Sequence, residues 1–515
     1  MSQILHIFRK DVRHRWIDIL VSLALLIAYA WHVAHRWNVP SHEFGLFSSL
    51  WGALTFFVPA SWCFLVIRAV QEESLVGDRQ FWVTRPYEWK KLLAAKLLFV
   101  AASINLPLFI VDVALLAEAG FSPVRYLPGL LWMQVLLLIF LVVPAAAVSV
   151  ITSTVVQVLL CVLGLILYLI GVGELFSSIP NAGVLPGGEV VAALDLLVIG
   201  CVLVAVIFLQ YARRKTWTSR LLIIGGGVAV LAIGAVTPYG TIVARSYPPL
   251  TAGQRPAVTL TIDPTPPLPP KKKDNAFPDV LPNVWIALPL HASGVAEGHV
   301  AQVRGVVVTI QVSDGRHWAS SWNSDGSIFL PGEDHTVKIF AVNRKVFERV
   351  KSIPVNVHIS VAQVDYRETN ARQITAEGGK SSVAEVGICR IEPYSNSNQN
   401  MIACRAPLKS PSLMGHMDPS ATTCTYEDGP PPLVTRYMWD LHDDSMGPAE
   451  LGIIPVNDVQ MIFGSWADDP KRELRYFCPG TPFTIATPEE GKHSRTEMEI
   501  DGIRLSQYEW HPGQE

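Results

Sequence analysis

Between residues 17 and 238 the sequence holds seven apolar stretches, each about as long as a helix that crosses a bilayer. They are 17–34, 46–70, 97–116, 127–148, 155–173, 190–209 and 221–238. A helix rises about 1.5 Å per residue, so about 20 residues cross the hydrocarbon core. In lipid every backbone N–H and C=O needs an internal partner, which a helix supplies. A membrane barrel would need short alternating segments, and these stretches are continuously apolar. Beyond residue 240 the composition turns polar. The chain is 17% charged with a mean hydropathy of +0.31, values that average a very apolar half with a water-soluble one. Its net charge of −3 carries no sign of a nucleic-acid partner.

Positive charge gives the orientation. With the N-terminus inside, the inner segments hold Arg9, Lys10, Arg13, Arg15, Arg79, Arg85, Lys90, Lys91, Lys96, Arg213, Arg214, Lys215 and Arg220. The outer ends hold only Arg36, Arg125 and Arg245. That bias predicts N-in, and seven crossings then leave the C-terminal half outside. The fourth and fifth spans meet at the uncharged turn 149–154, and a re-entrant pair is the alternative; either way the tail stays on the same side. Ala28-Tyr29-Ala30 resembles a signal-cleavage site, but Asp11 and the length of the preceding region argue against cleavage.

The expected organisation is an amphipathic interfacial helix over 1–16, a transmembrane helical domain over 17–240, a Pro-rich connector over 241–282 and an extracytoplasmic β-rich domain over 283–515. The fold class is therefore a polytopic α-helical membrane domain of about seven spans, followed by a mainly-β domain. In the first segment Ile4, Leu5, Phe8, Val12 and Trp16 recur at helical spacing among Arg9, Lys10, Arg13 and Arg15, as in a basic helix on the inner membrane surface. The connector 71–96 mixes acids, bases and aromatics and is punctuated by Gly77 and Pro86. Aromatic and basic residues together suit a membrane boundary, and also a docking surface. TPPLPPKKKD at 265–274 favours extended polyproline geometry, with Lys271, Lys272 and Lys273 solvated.

In the tail, Val355, Val357, Ile359 and Val361 alternate with polar or small residues, the period of a strand with one buried face. Similar runs occupy 303–312, 336–342, 383–391, 451–463, 481–485 and 498–505, separated by turn residues. Short strands of this kind predict a sandwich. Cys63, Cys161 and Cys201 lie within spans as small apolar residues. Cys389, Cys404, Cys424 and Cys478 lie outside the membrane, where an even set predicts disulfides. The turn chemistry of Tyr394-Ser395-Asn396-Ser397-Asn398-Gln399-Asn400 predicts Cys389 paired with Cys404 across a hairpin, leaving Cys424 for Cys478.

Catalytic signatures are missing. Gly379-Lys380-Ser381 has Ile374 where a phosphate loop needs its first glycine. No zinc-protease or nucleophile-elbow motif occurs. The acidic run Asp440-Leu441-His442-Asp443-Asp444 lacks defined ligand positions and reads as a solvated loop, so no metal and no cofactor is expected. Asp112 and Asp195 fall inside spans, where carboxylates are functional candidates; both lie toward the outer ends, within reach of water. Asn105 and Gln134 are candidates for interhelical hydrogen bonds.

Three features carry a resemblance: the basic helix IFRKDVRHRW, the connector ESLVGDRQFWVTRP and the LLAAKLLF that follows it. Together they resemble bacterial ABC-2-type transporter permeases over roughly residues 1–240. The resemblance implies a bacterial inner-membrane, multi-pass, non-enzymatic subunit for export or membrane remodelling. It implies an ATP-binding subunit in trans, and a homodimer or second permease as a further partner. It places Glu72, Glu73, Gly77, Asp78, Phe81, Trp82, Arg85 and Pro86 at or near the ATPase contact. The family typically has six membrane helices, so a seventh span and a large outer domain depart from it. A membrane-anchored binding or signalling protein without transport is the alternative expectation.

Overall fold

In the computed structural model the N-terminal half is helical and the C-terminal half is mostly β-sheet. The structure describes residues 2–36, 45–72, 88–178, 188–237, 239–250, 258–263, 283–320, 322, 328–329, 331, 335–375, 381–383, 386–393, 400–408, 413–417, 437–440, 455–463 and 482–510.

The helices are α1 (Ser2–His14), α2 (Trp16–Arg36), α3 (Gly45–Gln71), α4 (Trp89–Val100), α5 (Leu106–Glu118), α6 (Leu127–Leu137), α7 (Val143–Ile151), α8 (Val155–Ser178), α9 (Gly188–Arg213) and α10 (Thr216–Val236). Two π-helical turns, Ala101–Asn105 and Leu138–Val142, join α4 to α5 and α6 to α7. Among the described residues six helical runs are long and apolar enough to cross a membrane: Trp16–His35, Gly52–Gln71, Trp89–Glu118, Leu127–Ile151, Val191–Arg213 and Thr216–Val236. Val155–Tyr168, in the expected fifth span, is a shorter apolar stretch of helix.

Each π turn has a local cause. Pro107 and Pro144 stand two residues beyond them. Proline has no N–H and crowds the carbonyl four residues back, here that of Ser103 or Phe140, both inside the π turns. Widening the turn relieves the crowding and adds a residue to it. The added residue matters for what faces inward. On a regular helix Lys96 and Asp112 would point about 160° apart; one extra residue reduces this to about 60°. Both side chains are in fact buried.

The chain divides into two compact units. The first comprises Met1–Ile166, Leu194–Ile233 and Asn370–Thr487. Within it α2 packs on α3 and α5, α3 on α7, and α5 on α6. Tyr29, Trp62, Leu65, Phe99, Leu108, Leu116 and Leu130 are fully buried in their shared core. α1 packs on α4. Ile7 enters this core, with Ile4, Phe8 and Val12 of the apolar stripe partly buried beside it, while Leu5 and Trp16 of the same stripe are exposed. The segment expected to connect two spans over 71–96 is also shorter than its charges suggested. α4 begins at Trp89, so Lys90, Lys91 and Lys96 are helical, and Leu92, Ala95 and Phe99 define its buried face.

The rest of the chain runs through α11 (Tyr239–Ser246), β1 (Thr259–Ile262), β2 (Asn283–Ser293), β3 (His299–Val312), β4 (His317–Ala319), β5 (Ile328–Phe329), β6 (His335–Asn343), α12 (Arg344–Val350) and β7 (Val355–Thr375). Then come β8 (Ser381–Val383), β9 (Gly387–Pro393), β10 (Asn400–Pro407), β11 (Leu413–Met417), β12 (Tyr437–Asp440), β13 (Val456–Phe463), β14 (Pro482–Ile503) and β15 (Glu509–Trp510). In the first unit β8, β9, β10 and β13 form an antiparallel sheet in the order β13-β10-β9-β8. Cys389 and Cys404 stand opposite each other in its register and are disulfide-bonded, as the intervening turn predicted. Ile402, Leu413, Phe483 and Ile485 pack with them in a small core.

The second unit comprises Leu167–Ala193, Gly234–Thr369 and Pro488–Glu515. β1, β6 and β15 each pair antiparallel with β2. β3 pairs antiparallel with β4, β5 and β7, with a bulge between Val303 and Gly305. The two sheets share one core: Ile286, Leu288 and Leu290 of β2, Val306, Val308 and Ile310 of β3, and Val357, Ile359 and Val361 of β7. Every second residue of each strand enters it, which makes a sandwich. After α11, the Tyr247 ring stacks on His493 of β14, and the Arg495 N–H donates to the Pro248 carbonyl at 3.0 Å. The chain leaving the last helix of the bundle is thus fastened to β14.

Candidate functional site

Among the described residues two polar constellations stand out on the apolar helices. The first gathers on α1 at the charged end of the bundle. Lys96 of α4 donates to Asp11 of α1 at 2.8 Å, and both side chains are almost wholly buried. Glu72, at the exit of α3, receives Arg15 at 3.2 Å and Lys10 at 3.5 Å. Arg15 also donates to the Arg68 carbonyl at 3.3 Å. Alongside, Gln71 donates to Thr152 at 3.1 Å, and Arg220 donates to the Ile151 carbonyl at 3.1 Å. Helix α1 and the Arg15 that follows it therefore hold α3 just before residue 73 and α4 two turns into that helix. These are the two stems of the segment that the sequence reading singled out.

Glu72 is the one member of the proposed docking set within the described residues. Glu73, Gly77, Asp78, Phe81, Trp82, Arg85 and Pro86 lie outside them, as do Cys424 and Cys478. Asp11 and Lys96 were not singled out as a pair, although a signal existed. Asp11 is the acid among the bases of α1 and stands four residues from Ile7, on the buried stripe. Lys96 interrupts the apolar run after Leu92.

The second constellation lies inside the bundle. Asn105 ends the first π turn, Gln134 lies one turn before the second, and Asp112 is in α5. The Asn105 amide donates to Gln134 Oε1 at 3.0 Å and, more weakly, to its backbone oxygen at 3.5 Å. The Gln134 amide donates to Asp112 Oδ2 at 3.2 Å. Asn105 and Gln134 are thus the interhelical hydrogen-bond pair that polar residues in apolar runs suggested. Asp112, expected near water, is instead fully buried. It sits where α5 faces α6, with Gln134 in place of solvent. Asp195 of α9 is half-buried and joins neither constellation; its Oδ1 is buried without a hydrogen bond.

Among the described residues no group of three or more His, Cys, Asp or Glu side chains converges to hold a metal. The geometry offers ion pairs that tie helices together and a hydrogen-bonded acid in an apolar interior. The chain matches no protein-family model, and no curated protein is similar to it at a significant level.

Proposed function

We propose that this chain is a permease-like membrane subunit of an ABC-type export or membrane-remodelling system, driven by a separate ATPase. The observation that carries the reading is the grip of α1 on both stems of the 73–87 segment, through Glu72 and Lys96. An element moved by a nucleotide-driven partner must be stiffly joined to the helices it moves. Ion pairs of low exposure at both stems supply that stiffness. The six apolar runs and the basic character of α1 are compatible with an inner-membrane protein whose N-terminus is cytoplasmic. In this reading the helix containing Val155–Tyr168 is a seventh crossing, and the β-rich half lies outside the cytoplasm. Glu72, Glu73, Asp78, Phe81, Trp82 and Arg85 would meet the ATPase, with complementary charge setting orientation and the aromatics as anchors.

The test is purification of the full chain in mild detergent after crosslinking, with identification of bound subunits. An ATPase is expected with the wild type and is expected to be lost on Trp82→Ala, with membrane insertion unchanged. A phosphatase fused after residue 250 should be active and one fused at Lys90 silent. Failure to recover any ATPase would remove the mechanism. The membrane-anchored binding protein, favoured by the size of the β half, would then take its place.

A further inference from the structure

The hydrogen-bond chain Asn105–Gln134–Asp112 is isolated. Among the described residues Asp112 Oδ1 and Asn105 Oδ1 are both buried with no hydrogen-bond partner, so there the chain extends no further at either end. Among the described residues Gln134 is the side chain hydrogen-bonded to Asp112. The elements packed on α5 are α2, α6 and the π turn Ala101–Asn105. Of these, α2 carries the buried titratable side chains Tyr29 and His32, and the other two carry none. Burial of an unpaired carboxylate in an apolar interior is costly, and a proton is the smallest ligand that removes the charge.

We propose that Asp112 is a proton-binding site and that its state sets the direction of this chain. As a carboxylate, Asp112 only accepts, so Gln134 must offer its amide N–H to Oδ2 and its oxygen to Asn105. That is the order found here. With a proton on Oδ2, the acid donates to Gln134 instead. The Gln134 amide then turns by 180°, its nitrogen donates toward Asn105, and the Asn105 amide turns likewise to present oxygen. An amide's oxygen and nitrogen occupy nearly equivalent positions, so no helix has to move. The proton comes from a hydronium ion of the aqueous phase: one O–H bond of that ion breaks to leave water, one O–H bond forms on Oδ2, and no other covalent bond changes. The reversal has a local consequence. The Asn105 oxygen then faces the backbone oxygen of Gln134, and the 3.5 Å contact between the π turn and α6 is lost. The site does not depend on the ATPase reading, because every atom in it belongs to this chain.

The experiment is pH-difference infrared spectroscopy of the full chain in lipid vesicles, with carbon-13 in the glutamine side-chain carbonyls. In the wild type a carboxylic-acid band should rise on acidification while a labelled glutamine band shifts with the same midpoint. Asp112→Asn should remove both changes together. Gln134→Met leaves Asp112 in place and gives a second readout if the first variant fails to fold; it should abolish the glutamine shift and move the midpoint of the acid band. A wild-type spectrum whose acid band survives in Asp112→Asn would overturn the assignment. So would an Asp112-dependent acid band with no glutamine shift, or a spectrum with no titrating acid band.

Discussion

Lys96→Met should loosen α1 far more than Asp11→Asn does, although both break the same 2.8 Å ion pair. Removing one member of a buried pair costs about 3–5 kcal/mol, because the other charge loses its buried counter-charge. The two remaining groups differ in reach. After Asp11→Asn, the long Lys96 stem can carry its ammonium toward the interface, so the loss shrinks toward that of a charged hydrogen bond, about 1.5–3 kcal/mol. After Lys96→Met, the short Asp11 side chain, 0% exposed, reaches water only if α1 lifts off. The full penalty then falls on docking, and the undocked population rises by about two to four orders of magnitude. The assay is maleimide labelling in vesicles of a cysteine placed at the buried Ile7, with Cys63, Cys161 and Cys201 replaced. Asp11→Leu combined with Lys96→Met should label more slowly than Lys96→Met alone, since an apolar pair replaces a buried ion pair at little cost. The reasoning fails if Lys96→Met labels no faster than its parent, or if the double variant labels faster than Lys96→Met.

Alanine at both Cys389 and Cys404 removes a crosslink of sequence separation 15, worth about 3 kcal/mol in the chain-entropy model, and proteolysis of the 370–487 region should accelerate accordingly. Gly387→Ala should cost about 2–4 kcal/mol, because Gly387 has φ +128 and a Cβ there would meet the Arg405 carbonyl oxygen; thiol counting should then show a fraction of Cys389 left unpaired. The Arg316 guanidinium, hydrogen-bonded to Asp314, holds that carboxyl below the usual range. A depressed carboxyl contributes stability above its unfolded pKa and loses it as pH falls through the folded one. This pair is exposed, so the effect should appear in the carbon-13 titration of Asp314, where Arg316→Gln moves the midpoint up toward the ordinary carboxylate range.

Long apolar runs were legible because in a helix of about 20 residues little but lipid or core can cover them. Their ends were not. Trp89-Lys90-Lys91 reads as connector by charge, yet Leu92, Ala95 and Phe99 give it a buried face and make it helix. The β-half showed the same limit in reverse. Runs 481–485 and 498–505 were legible as separate strands because they alternate; 482–485 and 498–503 are the two ends of the one strand β14, and Leu505 lies beyond it in a 3-10 turn. The intervening Thr487-Pro488-Glu489-Glu490-Gly491-Lys492-His493 has no apolar period, and its strand geometry comes from ladder partners that composition does not encode. Run 383–391 erred the other way: Val386 and the positive φ of Gly387 break it into β8 and β9. The Cys389–Cys404 hairpin was readable because its turn is local. Asp11 with Lys96 and Gln134 with Asp112 were not, since they join residues 85 and 22 positions apart. Only packing decides which lone polar residues meet.

That 85-residue separation also bears on how the protein is made. Helix α1 leaves the ribosome before α4, and the lysine that anchors it follows 85 residues after Asp11. At about 5–20 residues per second the wait is about 4 to 17 s. Through that interval Asp11 lacks the Lys96 ammonium, and its carboxylate gains nothing by leaving water. Helix α1 is therefore made well before it can be seated. Its docking would report that the third apolar run has been inserted, a checkpoint written into biogenesis by one acid and one base.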